Sequence, residues 1–120
     1  EAAPIFNRGL LRVQQGRNGE ALNLFRKVLD VDPVSTDAMN ETGLIHYRPG
    51  RFEEAEAAFK KALDYDANNP SVLNNLGVLN FVRKKYLNAQ ELFERALAAD
   101  PDNGDAVLNL RDTREITGKI

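Results

Sequence analysis

Three stretches of the chain decide its fold: GLLRVQQGRNGEALNLFRKVLD at residues 9–30, GLIHYRPGRFEEAEAAFKKALD at 43–64 and GVLNFVRKKYLNAQELFERALA at 77–98. Laid under one another, they put Gly9, Gly43 and Gly77 in one column and Ala21, Ala55 and Ala89 in a second. Phe25, Phe59 and Phe93 form a third, and Leu29, Leu63 and Leu97 a fourth. Each step is 34 residues, with no insertion. A fixed period of this length marks a repeat architecture, in which each unit cannot bury its apolar face alone and stacks on the next.

Each column has a physical reason. A glycine inside a helix costs about 1 kcal/mol against alanine, so its recurrence implies a neighbouring helix in close approach. Ala21, Ala55 and Ala89 are small where two helices would cross. The phenylalanine four residues later lies one turn along the same face and fills the space beyond. Ala21, Phe25, Val28 and Leu29 give the i, i+4, i+7, i+8 stripe of an amphipathic helix. Residues 16–19, Pro49-Gly50 and residues 84–86 separate two helices inside each unit. Asp32-Pro33, Asn68-Asn69-Pro70 and Asp100-Pro101 end each second helix, which proline cannot continue. The pattern predicts seven helices, near 3–15, 19–31, 36–48, 52–66, 70–83, 86–99 and 104–117, and no strand.

The period and the G…A…F…A-L…D-P pattern resemble the tetratricopeptide repeat over the whole chain. The units are 2–35, 36–69 and 70–103, with 104–117 following the first helix of a fourth. The resemblance implies one domain over residues 1–120, an all-α, right-handed solenoid of antiparallel helix hairpins. Two columns depart from the family. Ile5, Met39, Leu73 and Val107 stand where tryptophan is frequent, and Arg12, His46, Asn80 and Arg114 where tyrosine is. Ala67 replaces a usual proline.

Composition bounds the function. Hydrophobic residues make up 42% and charged residues 28%, the balance of an ordinary globular chain and not of a disordered one. No apolar run approaches the roughly 18 residues of a membrane span. The chain has no cysteine, which excludes disulfides and thiolate metal sites and fits a cytoplasmic location, a periplasm being left open. A net charge of −2 argues against nucleic acid as partner. The chain starts at Glu1 without a methionine or a basic-then-apolar leader, so a piece of a longer protein is an expectation.

Candidate chemistry yields to plainer readings. His46 is the only histidine and sits in a column where the family packs a ring, so it reads as packed or half-buried rather than catalytic. Thr117-Gly118-Lys119 lacks the upstream glycine of a phosphate loop and reads as a helix end. Residues 100–105 have their glycine one position early for a calcium loop, and Arg111 stands where its last ligand belongs, so a capping turn is expected. Asn40-Glu41-Thr42 is formally a glycosylation sequence but falls inside a helix. No catalytic residue, metal or cofactor is expected.

The resemblance implies that first helices line a concave groove through positions 2, 5, 6, 9, 12 and 13 of each unit. Two features stand out there. Asn7, Asn75 and Asn109 at position six, with Asn40 and Asn74 at position five, form a ladder of amides. An amide offers a donor and an acceptor to a peptide group of any sequence, and the arrangement is similar to the asparagine ladder of the O-GlcNAc transferase superhelix. Phe6, Leu10, Val13, Leu44, Tyr47, Val78, Phe81 and Val82 supply apolar surface. Tyr47 and Phe81, in one column, are the expected aromatic anchors, and Val13, Val78 and Val82 are expected half-buried between helices. Arg48 is the one base against Asp37, Glu41, Asp105, Asp112 and Glu115.

The expectation is a non-catalytic interaction module that binds a protein or peptide, extended or helical, neutral to basic and with apolar side chains. The candidate groove residues are Asn7, Asn40, Glu41, Leu44, Tyr47, Arg48, Asn74, Asn75, Phe81 and Asn109. The alternatives are the repeat arm of a larger enzyme, such as a glycosyltransferase, and a scaffold that stacks end to end. Family members that hold acidic chaperone tails use cations and amides at positions here occupied by Phe6, Leu10, Glu41, Ser71 and Asn75, which implies no grip on such tails. Arg8, Arg12, Arg111 and Arg114 make both ends more charged than the middle; this reads as a cap on the last helix, and on the first helix equally as a cap or as a face cut from a longer array. A monomer, or at most a weak, salt-sensitive dimer, is expected.

Overall fold

Local chemistry marks where the first helices of the second, third and fourth units begin. Ser35 Oγ accepts a hydrogen bond from the Ala38 N–H at 3.2 Å, Asn69 Oδ1 from Val72 at 3.2 Å, and Asn103 Oδ1 from Ala106 at 3.1 Å. Each satisfies one of the N–H groups a helix leaves unpaired at its start. The computed structural model describes residues 1–119. Its helices are α1 (Ala2–Gln14), α2 (Asn18–Val31), α3 (Thr36–Tyr47), α4 (Phe52–Tyr65), α5 (Pro70–Val82), α6 (Tyr86–Ala99) and α7 (Gly104–Thr117). They agree with the sequence reading to within a residue at most ends, and no strand occurs among the described residues.

The turn inside each hairpin is one motif used three times. Gly16, Gly50 and Lys84 take positive φ values of 73°, 88° and 65°. The next residue then donates back across the helix end: Arg17 to the Arg12 carbonyl at 2.8 Å, Arg51 to His46 at 2.9 Å and Lys85 to Asn80 at 2.8 Å. This is the Schellman arrangement, in which a left-handed residue lets the last carbonyls of a helix find donors. Two repeats supply the glycine it favours and the third supplies Lys84. At the other end of the hairpins, Ser35, Asn69 and Asn103 donate to Asp32, Asp66 and Asp100.

Inside the hairpin the glycine and phenylalanine columns meet. A β-carbon at Gly9 would lie 2.6 Å from the Phe25 ring and one at Gly77 2.5 Å from Phe93, and Gly43 is related to Phe59 in the same way. The three rings are 0–1% exposed, so none can swing aside. Ala21, Ala55 and Ala89, also fully buried, let the second helix lie close enough for the ring to reach its glycine.

The described chain forms two compact units, residues 1–65 and residues from 66 onward. In the first, Ala21, Phe25, Val28, Ala38 and Ile45 make a core flanked by Ile5, Phe6, Leu10, Val13, Leu22 and Leu29. In the second, Ala89, Phe93 and Leu110 are flanked by Val78, Phe81 and Leu97. Position eleven is polar in every unit. Arg12 pairs with Glu20 at 3.5 Å and Arg114 with Glu94 at 3.1 Å, while buried Asn80 donates to the Leu76 carbonyl at 3.1 Å. On α7, Arg111 is exposed. Val107 is 47% exposed whereas Met39 and Leu73 in its column are buried, because no described helix follows α7 to cover it. No described helix is long and apolar enough to cross a membrane.

The turn motif gives a direct test. A left-handed residue with a β-carbon costs about 1–2 kcal/mol and glycine avoids this, at some loss in backbone entropy. Lys84→Gly should therefore raise stability by about 0.5–1 kcal/mol, and Gly50→Ala should lower it by about 1 kcal/mol. Urea unfolding followed by circular dichroism measures both.

Candidate functional site

The first helices carry the candidate residues, and each compact unit presents its own set. On α1 and α3, Asn7 and Arg48 are exposed, while Leu10, Asn40, Glu41, Leu44 and Tyr47 are half-buried. Aromatic contacts hold this surface from below. Phe6 lies 5.5 Å from Phe25 and Tyr47 5.9 Å from Phe52, centroid to centroid. Tyr47 is thus a propped ring with part of its surface available, a geometry that keeps its conformational entropy low before any contact is made. Burial of Glu41 pushes its carboxyl above the usual carboxylate range. Arg48 opposes that rise, and Asp37 adds to it.

On α5 and α7, Asn74, Asn75 and Asn109 are half-buried. The amide ladder joins itself here: Asn109 Nδ2 donates to Asn74 Oδ1 at 3.0 Å. That bond leaves the Asn109 carbonyl oxygen and the Asn74 amide hydrogens for other partners. The Asn109 backbone is held as well, its carbonyl accepting from buried Thr113 Oγ1 at 2.6 Å. Phe81 is half-buried and meets Tyr86 edge to face at 5.2 Å. Val78 is half-buried, as Val13 is on α1. Val82 differs from the sequence expectation. It is 46% exposed, because it is the last residue of α5 and the chain turns away at Arg83. Leu108, at a position of α7 that the family resemblance implies is inward, is 50% exposed.

Between α5, α6 and α7 the surface dips into a cavity of about 80 Å3, open to solvent and lined by Val78, Phe81, Phe93, Asn109 and Asp112. Phe81 and Asn109 were legible as candidates in the sequence. Asp112 stands among the groove acids of the sequence reading but not among its candidates, although its column reads Leu10, Leu44, Val78 and then Asp112, and that one change of character is the available signal.

The residues with plainer readings have structural duties. His46 is half-buried, and its Nδ1 is buried with no hydrogen-bond partner among the described residues. Asp100 Oδ1 accepts from the Asp102 N–H at 3.2 Å, and Asn103 caps α7, so the 100–105 loop is a turn and cap. Thr42 Oγ1 donates to the Ala38 carbonyl at 2.8 Å inside α3. Among the described residues, no three His, Asp or Glu side chains gather to hold a metal ion.

Glu41 gives a pH prediction. Its folded-state carboxyl holds a proton more tightly than the unfolded chain does, so its contribution to stability falls as pH rises through the window just above the ordinary glutamate value. Glu41→Gln removes that penalty. The variant should melt above the wild type at about pH 7, and the gain should vanish below about pH 4, where both side chains are neutral. Thermal melts across that range check the sign.

A family model described as tetratricopeptide repeat matches residues 6–71 and again 43–104. No curated protein matches the chain. Among solved structures, the first TPR of Spaghetti (RPAP3), bound to the HSP90 peptide SRMEEVD, superposes with a TM-score of 0.88 at 23% identity, covering 98% of this chain and 93% of that one. The Sgt2 TPR domain from Aspergillus fumigatus gives 0.89 at 17% identity, over 98% and 80%. MamA gives 0.81 at 22% identity, over 98% of this chain and 64% of that one. At these identities the likeness establishes the fold, an all-α repeat solenoid. With two overlapping family matches that together span residues 6–104, the chain belongs to the tetratricopeptide-repeat family.

Proposed function

We propose that the chain is a non-catalytic protein-interaction module whose first helices hold an extended peptide or a partner helix. The observation that carries the reading is the α5–α7 surface. There a pre-formed amide pair joins Asn74 to Asn109, Asn109 lines one cavity with propped Phe81, and the same two helices carry exposed Val82 and Leu108. Amide groups match a peptide backbone of any sequence, and the apolar side chains beside them supply the area that selects among sequences. On α1 and α3, Asn7, Asn40, Leu44 and Tyr47 repeat the combination, with Glu41 and Arg48 at its margin.

Charge restricts the partner. At the positions proposed to face the ligand, the first compact unit carries Arg48 against Asp37 and Glu41, and the second carries Asp105, Asp112 and Glu115 with no base. A basic or neutral segment gains from that field, and an acidic one is repelled. The Spaghetti neighbour is bound to an HSP90 peptide ending in acidic residues. The positions that would clamp such a tail are here Phe6, Leu10, Glu41, Ser71 and Asn75, with no cation among them. The proposed ligand class is therefore opposite in charge to that neighbour's peptide.

Titration against a peptide array, in parallel with SRMEEVD, tests the proposal. Peptides retained by the wild type should weaken by about 2 kcal/mol with Tyr47→Ala or Phe81→Ala if those rings are anchors. Asn75→Ala and Asn109→Ala should cost about 1 kcal/mol each, with helicity unchanged. SRMEEVD should show no measurable binding. Unchanged affinity in all four variants would place the partner elsewhere on the molecule, and micromolar binding of SRMEEVD would overturn the charge assignment.

A further inference from the structure

We infer that the cavity between α5, α6 and α7 is a subsite for one lysine-like side chain of the bound segment, an aliphatic stem ending in a cation. The inference rests on the proposed peptide-binding role of the first helices and specifies what one place in that surface accepts. The cavity measures about 80 Å3, far below the roughly 300–1,000 Å3 that enclose a drug-sized molecule, so it has room for the end of one side chain and not for a larger group.

Its lining is divided by chemistry. Val78, Phe81 and Phe93 form apolar walls, and Asn109 and Asp112 stand at the polar part. Apolar walls favour methylene groups, while the Asp112 carboxylate offers only acceptors to whatever ends the stem, and the Asn109 amide adds a carbonyl acceptor beside its remaining N–H. An acidic side chain would meet Asp112 with like charge. A purely apolar one would strip water from that carboxylate without replacing it. A stem with a terminal ammonium satisfies both halves.

The rest of the repeat shows that Asp112 is the departure. Its column holds Leu10, Leu44 and Val78 in the three preceding first helices. Nor is its charge consumed internally. Its ion-pair partner is its own neighbour Arg111, at 3.6 Å, with both side chains more than half exposed. A contact of that kind between exposed groups contributes little. The two groups that shape the cavity are already fixed, Phe81 by Tyr86 and Asn109 by Asn74, so a ligand need not order them on entry.

The test uses small probes that need no knowledge of the partner. N-acetyl-lysine N-methylamide and its norleucine analogue, which has an equivalent stem without the ammonium, are titrated into isotope-labelled chain. The Asn109 side-chain amide and Val78 methyl resonances report binding. The lysine probe should shift them saturably and bind about fivefold more tightly than norleucine. Asp112→Asn should bring the two probes within about twofold of each other, with circular dichroism unchanged. Equal affinity of the two probes for the wild type, a lysine preference that survives Asp112→Asn, or no saturable shift with lysine would overturn the inference. These readouts do not involve Tyr47 or Asn75, so failure here is distinct from failure of the peptide-binding proposal, which those variants test.

Discussion

Within each hairpin, a phenylalanine ring from the second helix lies where a β-carbon of the first helix would be. Gly9, Gly43 and Gly77 are each the floor on which Phe25, Phe59 or Phe93 rests. The glycine sacrifices helix propensity and the ring gains nearly complete burial, a favourable exchange because burying an aromatic side chain contributes more than the glycine loses. The contact sets the approach of the two helices. It also decides which side of the first helix is consumed in packing and which side remains for a ligand.

The surfaces proposed to bind follow from that division. On α5, Gly77 faces the ring, Leu76 and Leu79 are buried, and Asn74, Val78 and Phe81 are left at the half-exposed border. The second helices supply props and a wall to this border: Phe52 beside Tyr47, Tyr86 against Phe81, and Phe93 lining the cavity. Aromatic rings held in this way are suited to recognition because little freedom remains to be lost when a partner arrives. The hairpin turn serves the same geometry. Its left-handed residue closes the end of the first helix, and the second returns antiparallel at the angle the ring contact requires.

Much of this was legible in the sequence because the constraint repeats. Four columns at one spacing specify helices, hairpins and their packing face, and the second helices end where the prolines that follow them place the stops. What the columns could not show is how side chains at neighbouring positions use one another. Asn74 and Asn109 are 35 residues apart, so their mutual bond breaks the repeat register and no column reveals it. Val82 and Val107 are apolar at positions that a helix pattern buries, but an element end and the lack of a following described helix expose them. The cavity beside Asp112 depends on three helices at once and needed the coordinates.

The contact on which the rest depends can be isolated in a double-mutant cycle between Gly43 and Phe59, read by urea unfolding. In the wild type, Gly43→Ala should destabilise by about 1–3 kcal/mol, since the added methyl overpacks a ring that cannot move. In a Phe59→Ala background the methyl meets no ring, and the same substitution should be neutral or stabilising by up to about 1 kcal/mol through helix propensity. The two effects should thus differ in sign. Equal effects of Gly43→Ala in both backgrounds would contradict the account, because Gly43 would then be present for a reason other than Phe59.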